Sequence, residues 1–280
     1  MSDPSDPALG EAMDMSSVTV VIPNWNGAVH LRECLDAMRG QSVPPARVIV
    51  VDNGSTDDSL AILRAEYPWV EIIETGQNLG FSGAVNRGIG AADTEYVALL
   101  NNDTAADQLW LEQLTGALDA RPGFDTAASL MVFYDDPAVV NAAGDVYSLQ
   151  FLAAYNRGMW RSTDRFDEPV RVFGACAGAA LYRRSLFADI GLFDESFFLM
   201  HEDTDFNIRA LVRFRTGMTN SARIRSDTNL REMEIQGQNT AKGPRAHPLL
   251  PLKPGRALNH RAAFERSIQG DVDTALANSD

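Results

Sequence analysis

Four times between residues 18 and 120 the chain passes from a short apolar run into a stretch of helical period. The runs are VTVVIP (18–23), RVIVVD (47–52), VEIIET (70–75) and EYVALLN (95–101). Each is too short for an ordinary helix and nearly continuous in Val, Ile or Leu, the pattern of a strand buried on both faces. The stretches that follow span 29–38, 59–67, 81–92 and 107–120. The first sets Leu31, Cys34, Leu35 and Met38 on one helical face, and Ser55, Thr56 and Asp57 offer capping groups ahead of the second. Strands alternating with helices through short connections predict an α/β fold, a mostly parallel sheet covered by helices on both faces. Ligands of such sheets collect at the carboxyl ends of the strands, here just after Pro23, Asp52, Thr75 and Leu100.

The rest of the chain is less regular. Residues 1–16 are rich in Pro, Ser and Asp and show no periodicity, which predicts disorder. Residues 124–182 mix short strand-like runs with turn strings such as DDP, NAAGD and NRG. HEDTDFNIRALV (201–212) opens acidic and becomes amphipathic, as a helix N-terminus should. Beyond residue 212 no strand or helix period is sustained, apart from a possible short helix at 259–268, so 213–280 is expected to be an atypical, poorly ordered tail. Charge changes at the same place. Residues 211–280 hold 11 Lys+Arg against 7 Asp+Glu, whereas the chain as a whole carries a net charge of −14.

That acidity argues against a nucleic-acid partner, which would need a basic face, and offers nothing for electrostatic docking on a membrane. The acidic N-terminal stretch lacks the apolar core of a signal peptide. No stretch approaches the roughly 18 apolar residues of a membrane span, so the expected place is the cytoplasm. The two cysteines, Cys34 and Cys176, fit neither a disulfide framework nor a zinc site. Nothing fixes the oligomeric state.

Three acidic positions stand out, each with two readings. Asp52 ends a predicted buried strand, where a carboxylate can accept a hydrogen bond from a nucleobase or a ribose hydroxyl; DNGS is equally a good turn. Asp103, in LLNNDT, follows a strand and precedes a helix, a position for a ligand to Mg²⁺ or Mn²⁺ beside a diphosphate or for a simple cap. Glu202 and Asp203 follow His201 and FDESFFLM; they complement a helix dipole, or one of them serves as a general base whose pKa is raised by partial burial. The small run GACAGA (174–179) lets a substrate approach the backbone, or lets a helix pack closely on the sheet.

Taken in order, VTVVIPNWNG, VIVVDNGSTDDS, NLGFSGAVNRGI, LLNNDT, GACAGAALYRR and FDESFFLMHEDTDF resemble glycosyltransferase family 2, and more narrowly its rhamnosyltransferase-like branch. The resemblance covers residues 18–212. It implies a GT-A fold, the nucleotide-diphospho-sugar transferase type, over residues 17–212, with a nucleotide-binding half at 17–105 and an acceptor half at 106–212. It implies that Pro23, Asn24 and Asn26 lie under the nucleotide, that Asp52 reads the base, and that Asn78, Gly80, Asn86 and Asn102 line the nucleotide sugar. Asp103 matches the last acid of the family's metal motif, whose first acid is replaced here by Asn101. Asp203 matches the catalytic base, with Glu202 beside it, and Gly174, Cys176, Gly178 and His201 fall on the acceptor side.

The implied function is an inverting, Mg²⁺- or Mn²⁺-dependent transfer of a sugar to a hydroxyl of a cell-envelope glycan or glycolipid. L-rhamnose from dTDP-rhamnose is the first candidate and a hexose from a UDP-sugar the second. A lipid-linked acceptor would place the protein peripherally at the inner face of the plasma membrane. The family's His-containing segment after the last helix has no counterpart, which leaves an alternative: a non-catalytic nucleotide-sugar-binding protein of the same fold with a defective C-terminal part. A nicotinamide-dependent oxidoreductase is disfavoured, because the first strand–helix turn, PNWNGA, lacks the glycine pattern that cradles a pyrophosphate.

Overall fold

A computed structural model describes residues 16–226, apart from 151–152, 167 and 214–216. The expected disorder of residues 1–16 therefore falls almost wholly outside the described residues, as do the tail from 227 on and the helix expected at 259–268.

The strands are β1 (Ser16–Asn24), β2 (Pro45–Asp52), β3 (Glu71–Glu74), β4 (Tyr96–Leu100), β5 (Thr104–Ala106), β6 (Thr126–Phe133), β7 (Val140–Ala143), β8 (Asp145–Ser148), β9 (Ala153–Asn156), β10 (Arg171–Val172), β11 (Ala179–Arg183) and β12 (Gly217–Ser226). The helices are α1 (Leu31–Arg39), α2 (Ser59–Glu66), α3 (Gly80–Ala91), α4 (Trp110–Asp119), α5 (Arg184–Ile190) and α6 (Glu202–Val212).

One ten-stranded sheet runs β10-β12-β6-β11-β4-β1-β2-β3, with β5 on β12 and β7 on β6; β8 and β9 form a separate hairpin. Strands β3, β2, β1 and β4 pair in parallel. β11 enters antiparallel between β4 and β6, which leaves β6, and the parallel β12 beyond it, running in the direction of β1. The expectation of a mostly parallel α/β sheet holds, with β11 and the short β5, β7 and β10 reversed.

The apolar runs are continuous because both faces of the sheet are covered. Val18, Val20, Ile22, Val48, Val50, Tyr96, Ala98 and Leu100 share one core with Leu31, Cys34, Leu35 and Met38 of α1. Val21, Ile49, Val51, Val97 and Leu99 share a second core with Ala84, Val85 and Ile89 of α3. Each fully buried Val, Leu or Ile contributes about 1.5–3 kcal/mol, so both faces of these strands bind the sheet to its helices. The small residues of α3 bring it close to the sheet: a β-carbon at Gly88 would overlap the Val21 side chain of β1.

Strand β12 is a departure from the sequence reading, which finds no strand after residue 212. It pairs with β6 from Gly217↔Thr126 to Ser226↔Phe133 and takes β10 and β5 on its other edge. Backbone pairing with three neighbours holds it there, with Ile224 buried in the first core. MTNSARIRS carries no alternation that announces a strand.

Candidate active site

The carboxyl ends of β1, β2 and β4 are joined by one buried amide. Asn24 closes β1, and its Nδ2 donates to Asp52 Oδ2 and to Ser55 Oγ, each at 3.2 Å. Its Oδ1 accepts from Asn102 Nδ2 at 2.7 Å. Asp52, buried at the end of β2, accepts the Ser55 N–H through Oδ1 at 3.0 Å. Asn26, at φ 52°, accepts the Thr56 N–H at 2.8 Å, and its own N–H donates to Ser55 Oγ at 2.9 Å. Ala28 N donates to Asp57 Oδ2 at 2.9 Å. The loops after β1 and β2 are thereby fastened together, and Pro23, Asn24, Asn26, Asp52 and Asn102 lie side by side at the edge the strand order selects for a ligand.

The residues at the start of α3 behave differently. Asn78 Oδ1 accepts from Asn53 Nδ2 and from Gly80 N, both at 2.9 Å, which closes the turn into the helix. Gly80 sits at φ 75°, where a side chain is strained, and a β-carbon there would overlap the Phe198 carbonyl oxygen. That oxygen accepts the Phe81 N–H at 2.8 Å. Asn86 is buried and exchanges hydrogen bonds with the Phe193 backbone, Nδ2 to O at 2.8 Å and Oδ1 from N at 3.1 Å, with Glu195 Oε1 a further acceptor at 3.2 Å. Asn78 through its Oδ1 and Asn86 through its whole amide thus hold chain against chain around the start of α3.

Asp103 follows β4 and lines a small pocket with His30, Glu33, Asn102, Thr104 and Tyr134. Tyr134 Oη donates to Glu33 Oε1 at 2.8 Å. Burial, and after it the Asp103 charge, pushes the Cys34 thiol up to about 12. Among the described residues no group of three or more His, Cys, Asp or Glu side chains is arranged to hold a metal ion. The Asp103 and Glu33 carboxylates, with the Asn102 amide and the Thr104 and Tyr134 hydroxyls, make a lining rich in oxygen beside the His30 imidazole. It suits a hard cation whose remaining ligands are phosphate oxygens and water, as Mg²⁺ prefers.

A second group of acids lies around the start of α6. Met200 and His201 both have φ 72°, two consecutive non-glycine residues in left-handed conformation, a strain kept where surrounding packing enforces it. The next residues, Glu202 and Asp203, enter the helix. Asp203 Oδ1 accepts the Thr204 N–H at 2.7 Å, and the Ala177 N–H also donates to this carboxylate. Burial still raises its pKa, the hydrogen bonds offsetting part of the effect. Glu202 is 7% exposed. Burial first, and the Asp203 charge second, pushes its pKa up to about 7, and its Oε2 has no hydrogen-bond partner among the described residues.

The small run 174–178 connects these acids to the strand ends. Gly174 lies directly against the Asn207 side chain, which leaves no room for a β-carbon, and Asn207 Nδ2 donates to Ala175 O at 3.2 Å. Gly178 O accepts the Asn101 N–H at 2.8 Å, and a β-carbon on Gly178 would come within 3.1 Å of Asn101 Nδ2. A continuous strip of contacts thus runs from Asp52 through Asn24 and Asn102–Asn101 to Gly178, Ala177 and Asp203. Cys176 lies within this run; burial, then the charges of Asp145 and Asp203, raises its thiol well above the ordinary value, so it stays protonated and is no nucleophile.

Asp145 escapes sequence reading. It starts β8 and is buried, and burial followed by the Asp203 charge raises its pKa well above the ordinary carboxylate range. In the sequence it belongs to NAAGD, a turn string. Its burial comes from a bridge to Gly174, 29 positions away (Asp145 N to Gly174 O, 2.9 Å), and no local pattern carries that.

A mixed sheet with a parallel nucleotide-type half, an acidic strip along its strand ends and a buried acid at the head of α6 define the GT-A fold of nucleotide-sugar transferases. Solved structures of that fold superpose on the chain. GalNAc-T7 with UDP, GalNAc and Mn²⁺ does so with a TM-score of 0.62 at 14% identity, over 77% of this chain and 44% of that one. A fragment of S. aureus TarS in complex with UDP does so with a TM-score of 0.55 at 20% identity, over 73% of this chain and 57% of that one. At these identities the likeness establishes the fold, and the chain spans less than two thirds of either protein. The profile of Glycosyl transferase family 2 matches residues 19–191, and the chain belongs to that family of glycosyltransferases. It is 30% identical over 214 residues to the N-acetylglucosaminyl-diphospho-decaprenol L-rhamnosyltransferase of Mycobacterium tuberculosis, covering 68% of this chain and 69% of the relative. It is 27% identical over 194 residues to a PGL/p-HBAD biosynthesis glycosyltransferase of Mycobacterium bovis, covering 68% of each. No helix among the described residues is long and apolar enough to cross a membrane.

Proposed function

We propose that the protein transfers a sugar, with inversion, from a nucleotide-diphosphate donor to a hydroxyl of a cell-envelope glycan or lipid-linked glycan. Asp203 is the base. The observation that carries this reading is the half-buried Asp203 carboxylate, held by the Thr204 and Ala177 N–H groups and joined by the 177–178 backbone to the strand ends that hold Asp52 and Asn102. A base must be held within reach of the acceptor and must have a proton affinity above that of an exposed carboxylate; Asp203 meets the second condition through burial. The acceptor hydroxyl loses its proton to Asp203 as its oxygen attacks the anomeric carbon from the face opposite the departing diphosphate, the logic of a single displacement. Asp52 and the Asn24 network orient the nucleoside. Asp103 would hold Mg²⁺ or Mn²⁺, which supplies charge neutralisation for the leaving diphosphate.

The relatives favour dTDP-rhamnose as donor and a polyprenyl-diphosphate-linked sugar as acceptor, with a UDP-hexose as the second donor candidate. A lipid-linked acceptor would bring the protein to the inner face of the membrane peripherally. The test has two parts. A thermal-shift panel of nucleotide sugars with Mg²⁺ or Mn²⁺ should show stabilisation by one donor, weakened in Asp103→Ala. Nucleotide diphosphate release with that donor and a lipid-linked acceptor should fall about 10²–10⁴-fold in Asp203→Asn. Donor binding without any release by the native protein would instead identify the non-catalytic alternative.

A further inference from the structure

The edge of β6 that faces β11 changes partner midway. β11 covers it as far as Ala180↔Ala128, and β7 takes over at Ala143↔Leu130. The end of β7 and the start of β11 therefore lie next to each other, at the carboxyl end of β4. From Ala143 the chain continues through Gly144 into Asp145, which bridges Gly174 in both directions (Asp145 N to Gly174 O 2.9 Å, Phe173 N to Asp145 O 3.1 Å). Gly174 in turn carries Asn207, one helical turn beyond Asp203 on α6. Asp145 is thus fixed beside the base by two independent connections, the β6 edge and the 174–177 run. It is 3% exposed.

We propose that Asp145 is a positioning residue of the transfer reaction, a carboxyl group beside Asp203 that adds no charge of its own to this pocket while Asp203 collects the acceptor's proton. The proposal rests on the reading of Asp203 as base. Three carboxyl groups meet in one buried place, and each added charge there costs more than the last. Backbone N–H groups of Thr204 and Ala177 favour the charged form of Asp203, and no such donor acts on Asp145, so of these two Asp203 ionises first. The groups that interact electrostatically with Asp145 are Asp203 of α6, the Cys176 thiol of the 174–178 run and Tyr182 of β11, all anionic or neutral. The nearest cation along the hairpin, Arg157, is turned elsewhere: its Nη1 donates to Ala143 O at 3.5 Å and its guanidinium lies over the Phe166 ring. No ion pair of Asp145 is found among the described residues. In the step itself the acceptor O–H proton goes to Asp203, and Asp145 begins and ends with its own proton.

The test compares Asp145→Asn, Asp145→Ala and Asp203→Asn in the full chain. Asn is neutral and of the same shape, so kcat of Asp145→Asn at pH 7 should stay within about threefold of wild type, while Asp145→Ala should lose about tenfold or more in kcat with donor KM little changed. A loss in Asp145→Asn as large as that in Asp203→Asn overturns the proposal, because the charge itself would then be required. Wild-type kcat in Asp145→Ala overturns it as well. A second readout needs no turnover. A neutral buried acid makes the native state less stable as pH rises, so the melting temperature of Asp145→Asn relative to wild type should climb between pH 4 and pH 8. A difference that does not change with pH overturns the proposal even if no acceptor is ever found. Loss of turnover in the native protein with this climb intact would instead fault the reading of Asp203 as base.

Discussion

Replacing Glu202 by Gln should make the protein more stable, and only above a defined pH. On folding, the Glu202 carboxyl goes from 4.5 to about 7, chiefly because it is buried and secondarily because Asp203 lies beside it. Native and unfolded chains hold the same number of protons below pH 4.5. Between pH 4.5 and 7 the native state keeps a proton that the unfolded state has released, so raising the pH favours unfolding. Above 7 both states are ionised and the loss is complete. At about 1.4 kcal/mol per pH unit, the interval amounts to about 3 kcal/mol. Gln keeps the shape and lacks the titration. The stability of Glu202→Gln relative to wild type should therefore rise by about 3 kcal/mol from pH 4.5 to pH 8, or about 6–12 °C in melting temperature for a domain of this size. Urea unfolding at pH 4.5, 6, 7 and 8, with both proteins in the same buffers, reads the difference directly. Part of the effect comes from the Asp203 charge, so it should shrink when the same substitution is made in Asp203→Asn. Parallel stability curves for Glu202→Gln and wild type would refute the argument, since they would mean that the carboxyl titrates in the native state as it does in the unfolded chain.

Two further substitutions probe the framework of the site. Asn24→Ala removes the donor to Asp52 and Ser55 and the acceptor for Asn102; it should cost about 2–4 kcal/mol in chemical denaturation, since buried partners are left unpaired, and raise the donor KM more than it lowers kcat. Gly80→Ala puts a β-carbon against the Phe198 carbonyl at φ 75° and should destabilise by about 1–3 kcal/mol, with a larger fall in kcat than Gly76→Ala, where φ is 73° but nothing lies within 4 Å.

The parts of the fold that local pattern encodes are the parts sequence reading recovers. Val18 to Ile22 alternate between two cores, and both cores are apolar, so the run is legible as a doubly buried strand. Asp52 is legible because its strand is, and a strand's carboxyl end is where this class of sheet binds ligands. β12 is missed because its place is set by backbone pairing with β6, β5 and β10 rather than by side-chain alternation. Asp145 is missed because its surroundings are assembled from Gly174 and α6, remote in sequence. Asn86 is assigned to the sugar by resemblance, yet its amide is engaged by the Phe193 backbone. A motif records that a residue is needed at a position, and whether it touches the ligand or holds the wall is settled by packing.

The segment from Phe193 to Phe198 is tied to α3 at both ends, by Asn86 at one and by the Phe81 N–H at the other. Three residues after Phe198 the chain reaches His201, and two later the proposed base, Asp203. The stretch that prepares the acceptor side is therefore cut to the length of a helix in the donor half, and neither can be exchanged alone. A chimera that imports the loop and α6 from a relative to change acceptor preference should carry residues 78–86 of that relative with it. Transplanted without them, the loop would lose its two moorings and Asp203 its fixed bearing on the donor.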